Sequence, residues 1–258
     1  MALAIGGVLP LGAQRLSSNS LKHFKDFKPV WLFKKSGSFA LSDTQEEFPS
    51  LTIDIIGDVT CPWCFLGKRL IDAVVVSMPR LSVELRWHPF EIEPELPPEG
   101  MDYLSHLLAE VGTSKVAVAL GKMAKAGREF GLDLDIGNLP RLRNSFAAHR
   151  LIRYASDRDV QPKVVEHLLQ AHFCERRDIS DLAVLCDVAA HSQLDPKTVS
   201  AFLRGDEGAA ALRREIKDTR KSGVDLVPHF TFGGTIEVVG LQSADVFADA
   251  LFNAIPEG

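Results

Sequence analysis

Cysteine is scarce in this 258-residue chain, which has four, at positions 61, 64, 174 and 186. Four cysteines over this length do not make the dense disulfide framework of small secreted domains. Paired sulfurs here are better read as reactive than as staples, and a reducing compartment is the default. No apolar run approaches the roughly 20 residues that a membrane-spanning helix requires, so no membrane partner is expected. Acids are nearly missing from the first forty-two residues, where Asp26 stands alone against Arg15, Lys22, Lys25, Lys28, Lys34 and Lys35. That basic, serine-containing bias is the bias of an organelle transit peptide, for mitochondrion or plastid. A disordered cytosolic extension and a secretory leader stay open, although no basic residue precedes the apolar opening from Ala2 to Leu9. Taking these 6 bases and 1 acid from totals of 29 and 34 leaves 23 and 33, a net charge of −10 on the rest. So acidic a body argues against nucleic acid as the main partner.

What is present is an ordinary globular composition, 46% hydrophobic and 24% charged, enough to bury one large core or two closely packed ones. Within it stands Cys61-Pro62-Trp63-Cys64, directly after the strand-like run Leu51 to Gly57 and before a helix-like run. Two cysteines separated by two residues at a helix start can close a small disulfide ring. The exposed amide hydrogens at that end favour a thiolate on the first sulfur. The pair therefore reads as a redox dithiol, with Cys61 exposed as the nucleophile and Cys64 one turn deeper as the resolving thiol. A zinc site would need two further ligands, and Cys174 and Cys186 do not form a second close pair, so no metal is expected.

Hydrophobic periodicity orders the chain. A buried-type strand at 51–57, a helix over 64–78 and an alternating strand at 81–87 come first. The proline-rich segment Pro89 to Gly100 continues neither kind of element. Helical spacing then dominates from about Tyr103 to Lys221, with Pro162 and Pro196 in first turns and Asp195 as an N-cap. Strands at 229–232 and 235–239 follow, joined by Gly233-Gly234 as a two-residue hairpin turn, and a last amphipathic helix covers 243–253. The expected division is an amino-terminal extension (1–48), a thioredoxin-like domain (49–100 and 222–258) and an inserted helical domain (101–221).

That order is the α/β thioredoxin fold with a large inserted α-helical domain, and the chain resembles the DsbA-like thioredoxin family. Within it the chain is similar to the FrnE-like branch, related to 2-hydroxychromene-2-carboxylate isomerases and kappa-class glutathione transferases. The resemblance covers roughly residues 51–253. It rests on Cys61-Pro62-Trp63-Cys64 with Gly67, Pro89-Phe90-Glu91 through Pro97-Pro98-Glu99-Gly100, Gly131-Leu132-Asp133, and Asn144-Ser145-Phe146 with Ala148-His149-Arg150-Leu151. Ala171-His172-Phe173 with Asp178-Ile179, and Val227-Pro228 followed by Gly240 and Gln242, complete the match. The resemblance implies a cis peptide at Val227-Pro228 and a substrate groove formed by Pro62, Trp63, Val227, Pro228 and His229. It departs from the family pattern at Leu226, where a glycine is usual, and at His229, where an aromatic is usual.

The function expected from these motifs is thiol-disulfide exchange on proteins or peptides, with glutathione as a redox partner and no tightly bound cofactor. In the related isomerases and transferases a serine replaces the first cysteine and the second is absent, so the intact pair here favours redox exchange. A glutathione-dependent transferase or isomerase, and a non-enzymatic interaction protein on the same fold, stay as alternatives. His149 and His172 lie on expected helices, where a packed histidine is commoner than a catalytic base. Cys174 and Cys186 read as small buried hydrophobes on helical faces.

Overall fold

The computed structural model describes residues 49–97, 99–132, 134 and 141–255. The expected amino-terminal extension lies outside the described residues, as do Pro98 and Asp133 of the family motifs. Strand β1 (Ser50–Gly57) is central, with buried Leu51, Ile53 and Ile55 alternating with half-buried neighbours, as a strand between two unequal layers requires. It pairs in parallel with β2 (Ser82–Pro89) through the helix α1 (Pro62–Val76), and antiparallel with β3 (His229–Phe232). β3 in turn pairs antiparallel with β4 (Ile236–Val239), giving the order β2-β1-β3-β4.

The hairpin between β3 and β4 departs from expectation by one residue. Phe232 pairs with Ile236, so the loop has three residues, Gly233, Gly234 and Thr235. The reason lies next door: Gly233 N still donates to Thr52 O of β1 at 2.9 Å, so the chain turns only after that bond is made. Both glycines then take positive φ, 57° and 72°, which only glycine adopts at little cost.

Between β2 and β3 lie α2 (Tyr103–Val111), α3 (Thr113–Glu129), α4 (Phe146–Ser156), α5 (Gln161–Phe173), α6 (Leu182–His191), α7 (Pro196–Arg204) and α8 (Ala209–Lys221). Asp195 caps α7 as expected, accepting from Lys197 N and Thr198 N. The last helix, α9 (Ala244–Asn253), shares one face of the sheet with α1, where the Phe230 and Phe247 rings meet edge to face at 4.7 Å. The opposite face carries Asp54 and His88, bonded at 2.7 Å, and receives Glu215 of α8.

Two contacts fasten the helical block to the sheet. The Gln161 amide at the start of α5 accepts from Trp87 N at 2.8 Å and donates to Trp87 O at 3.1 Å, so it acts as one more strand residue on the open edge of β2. Behind α1, the block covers three charged residues that a helix normally leaves in water, Lys68, Arg69 and Asp72. They survive burial because Glu166 of α5 joins them. Lys68 Nζ reaches Asp72 at 2.5 Å and Glu166 at 3.1 Å, Arg69 pairs with Glu166, and the cluster is neutral overall. Burial works against the Lys68 charge, but the two carboxylates outweigh it and its pKa lies above the usual lysine value.

Removing one anion from this cluster leaves two buried cations sharing a single partner. Glu166→Gln should therefore lower the unfolding free energy by about 3–5 kcal/mol in urea titrations. A loss under about 0.5 kcal/mol, the scale of an ordinary surface change, would contradict the assignment.

Candidate active site

Asp58, Val59 and Thr60 form a tight turn between β1 and α1. Thr60 N donates to Asp58 Oδ1 at 3.0 Å, and Cys61 N donates to Asp58 O at 3.0 Å. That turn sets Cys61 in extended geometry as the N-cap of α1, and Pro62 occupies the first helical turn, where its missing N–H costs nothing. Cys61 O then accepts from Cys64 N and Phe65 N, which stacks the second cysteine one turn above the first. Both thiols are free. A methyl group at Gly57 would come within 2.8 Å of the Trp87 ring and 3.1 Å of Cys64 Sγ, so glycine there lets tryptophan and sulfur close in on the strand end.

Cys61 is not exposed as expected. Its residual exposure is 1%, and that of Cys64 is 0%. The helical block closes over the turn: the buried Tyr103 of α2 stands near enough that its phenol is pushed well above the usual value, by burial first and then by Cys61, Asp58 and Cys64. The Cys64 thiol is also pushed well up. Burial is the main cause, followed by the hydrogen bond and charge of Cys61; the Asp58 backbone N–H, bonded to the Cys64 sulfur, pulls the other way. Cys64 is thus held as a thiol, the state a resolving sulfur keeps until it is called on.

Pro62 and Trp63 lie in the first turn of α1 and are buried with the sulfurs. The Val227-Pro228 peptide is cis. Pro228 packs against the same helix one turn further on: a methyl group at Gly67 would meet Pro228 Cγ at 3.1 Å and the Phe230 ring at 2.9 Å. His229 is placed differently. It pairs with Ile56 and Val239, so its side chain lies on the sheet face away from α1 and Phe230, 12% exposed, with Nε2 3.6 Å from Glu237 Oε2. The structure therefore brings Pro62, Trp63 and Pro228 to the helix that carries the dithiol and sends the His229 ring elsewhere. Cys186 is half-buried on α6 and Cys174 is exposed at the end of α5, not buried as expected, because it follows the last turn of that helix.

Around the dithiol stand polar groups for which the sequence held little signal. Asp58 is buried; burial works to raise its pKa, but the nearby His149, with the amides of Thr60 and Ile92, outweighs it and holds the carboxyl below the usual value. His149 Nε2 lies 3.6 Å from Asp58 Oδ1. His172 on α5 is fully buried with neither ring nitrogen hydrogen-bonded, and burial lowers its pKa to about 4. For Asp58 the available signal was its place three residues ahead of Cys61. For the histidines it was only membership of the family motifs.

With this geometry in place, the comparison with known proteins is decisive at family level. The profile of the DsbA-like thioredoxin domain matches residues 52–252. The chain belongs to that family. A curated relative, the uncharacterized protein YwbO of Bacillus subtilis strain 168, is 23% identical over 200 residues, covering 77% of this chain and 94% of the relative. Among solved structures, a probable DsbA oxidoreductase from Streptomyces coelicolor superimposes with a TM-score of 0.72 at 24% identity, covering 79% of this chain and 89% of the other. A 2-hydroxychromene-2-carboxylate isomerase superimposes with a TM-score of 0.56 at 14% identity, covering 78% and 91%. These likenesses show the shared thioredoxin-like fold with its helical insertion, the fold of DsbA-like oxidoreductases.

His172 makes the folded chain sensitive to acid in a definite direction. Its folded pKa of about 4 lies below the ordinary 6.5, so the unfolded chain binds the extra proton between those values. Stability falls as pH drops through that window and is unaffected by this group above it. Relative to wild type, His172→Leu should therefore gain roughly 3 kcal/mol between pH 7 and pH 4 in urea unfolding. Parallel stability curves for the two proteins would contradict the assignment.

Proposed function

We propose that this chain is a thiol-disulfide oxidoreductase in which Cys61 attacks and Cys64 resolves. The observation that carries the reading is the pair of free sulfurs one turn apart at the start of α1, with Cys64 buried and held protonated. Cys61 attacks a substrate disulfide to form a mixed disulfide, and Cys64 then attacks Cys61 to release the substrate as a thiol; the reverse sequence oxidises a dithiol. The Val227-Pro228 loop, packed beside α1, gives an extended substrate segment a strand end to align with, next to Pro62 and Trp63. Any part played by His229 runs through its backbone, because its ring occupies the other face of the sheet.

Substrates on this reading are thiol-bearing or disulfide-bearing proteins and peptides, with glutathione as redox partner and no bound cofactor. Because Cys61 is 1% exposed, substrate entry displaces the edge of the helical block that carries Tyr103. The basic, acid-poor segment before Asp43 supports delivery of the enzyme to a mitochondrion or plastid.

Variants of the two sulfurs test the reading against a glutathione-dependent isomerase on the same fold. Cys64→Ser should trap mixed disulfides between Cys61 and glutathione or a peptide, visible by mass spectrometry. Cys61→Ser should lose at least about 99% of dithiol turnover, since the attacking atom is gone. Full turnover by Cys61→Ser would overturn the assignment, and full catalysis by Cys64→Ser without trapping would favour the isomerase.

A further inference from the structure

The sheet face away from α1 and α9 carries a histidine held between acids from two different elements. His88, half-buried on β2, turns Nε2 to Asp54 Oδ1 of β1 at 2.7 Å and Nδ1 to Glu215 Oε1 of α8 at 3.9 Å. A carboxylate only accepts and a neutral imidazole carries a single N–H, so the neutral ring serves one acid and turns a lone pair toward the other. The imidazolium serves both. The charge state of this ring therefore decides whether α8 is drawn to the sheet at this point or pushed from it.

We propose that His88 is a pH-operated strap between the sheet and α8: its imidazolium, tied to Asp54 and Glu215 together, holds α8 down, and loss of the proton on the basic side frees α8 and the following loop that ends in Val227-Pro228. The strap uses neither sulfur, so it stands apart from the thiol-disulfide reading.

Helix α8 is the element that carries such a change toward the dithiol. Past Glu215 the same helix presents Arg220, whose guanidinium lies over the Phe90 ring at 4.4 Å and donates to Glu91 O. The chain then runs through Gly223, at a φ of 95°, to the cis peptide. Leu212 and Ile216 stay buried beneath the helix and Arg213 stacks on Phe146, so α8 remains docked without the strap and gains motion at its strapped side.

The surrounding charges set the direction of the response. Arg153 of α4 pairs with Glu215, and His149 of the same helix also acts on that carboxylate. Arg86, further along β2, is taken up by Glu84, while His229 on β3 is separated from the ring by Ile56 and faces Glu237. Glu215 is the largest influence on His88, burial opposes it and Asp54 adds to it, which leaves the His88 pKa above the ordinary 6.5. The stability that the strap supplies is thus complete below the ordinary value and is lost as pH rises through the folded one.

Amide hydrogen exchange on the full chain, read by mass spectrometry as protection factors so that the intrinsic effect of hydroxide is removed, follows the strap directly. Between about pH 6 and pH 8.5, protection of α8 and of residues 222–228 should fall at least about threefold relative to protection of α9. In His88→Gln, which keeps an N–H for Asp54 and carries no charge, protection at the acid end should already lie at the lower value and the pH dependence should vanish. Glu215→Gln, which leaves the ring one acid, should also flatten the profile, and it decides by the same readout if His88→Gln does not fold. A flat wild-type profile, or a wild-type response that His88→Gln reproduces, overturns the proposal. A fall shared equally by α9 overturns it as well, because the whole chain rather than α8 would then be loosening.

Discussion

One buried carboxylate joins three parts of the chain that are distant in sequence. Asp58 accepts from Thr60 N in the turn before α1 and from Ile92 N after β2, and it faces His149 of the helical block. A buried charge is tolerated only when it is bonded on all sides, so this group obliges the strand end, the proline-rich crossing and α4 to converge. The dithiol sits on the same turn, because Cys61 N is bonded to Asp58 O and Cys64 N to Cys61 O. The position of the dithiol therefore follows from the turn that this carboxylate organises.

The same convergence explains why the inserted helices belong to the site. α1 buries charged residues on its flank that Glu166 of α5 brings to neutrality, and the buried Tyr103 of α2 lies near its start. A minimal thioredoxin fold would leave both surfaces in water. Here they form a largely apolar enclosure in which the Cys64 thiol is stabilised over its anion and a neutral His172 persists. Such an enclosure suits a reaction that must exclude water from a mixed disulfide, at the expense of requiring the helical edge to move when a substrate enters.

The strands and helices were legible in the sequence because each carries a clean period of two or 3.6, and the motif Cys61-Pro62-Trp63-Cys64 marks its own place at a helix start. The cis peptide before Pro228 followed from the family resemblance and is present. What could not be read was burial created by partners far away along the chain. Cys61 looks exposed when only its own helix is considered and is covered once α2 packs above it. His149 looks like a packing residue until Asp58 is placed opposite it, and the side chain of His229 was aimed by strand register, which shifts faces with a single residue. The extra residue in the hairpin has the same origin, a bond from Gly233 to a strand more than 180 residues earlier.

The central claim, that Cys61 and Cys64 form one reversible disulfide, is tested most directly by equilibrating the chain in glutathione buffers of graded ratio and following the fluorescence of Trp63 and Trp87, which lie beside the sulfurs. The account predicts a single two-electron transition with a midpoint between about −270 and −120 mV, the span of known thioredoxin-fold dithiols, and its loss in Cys64→Ser. Two thiols that stay reduced at the most oxidising ratio, or a product carrying one glutathione instead of an internal disulfide, would contradict it.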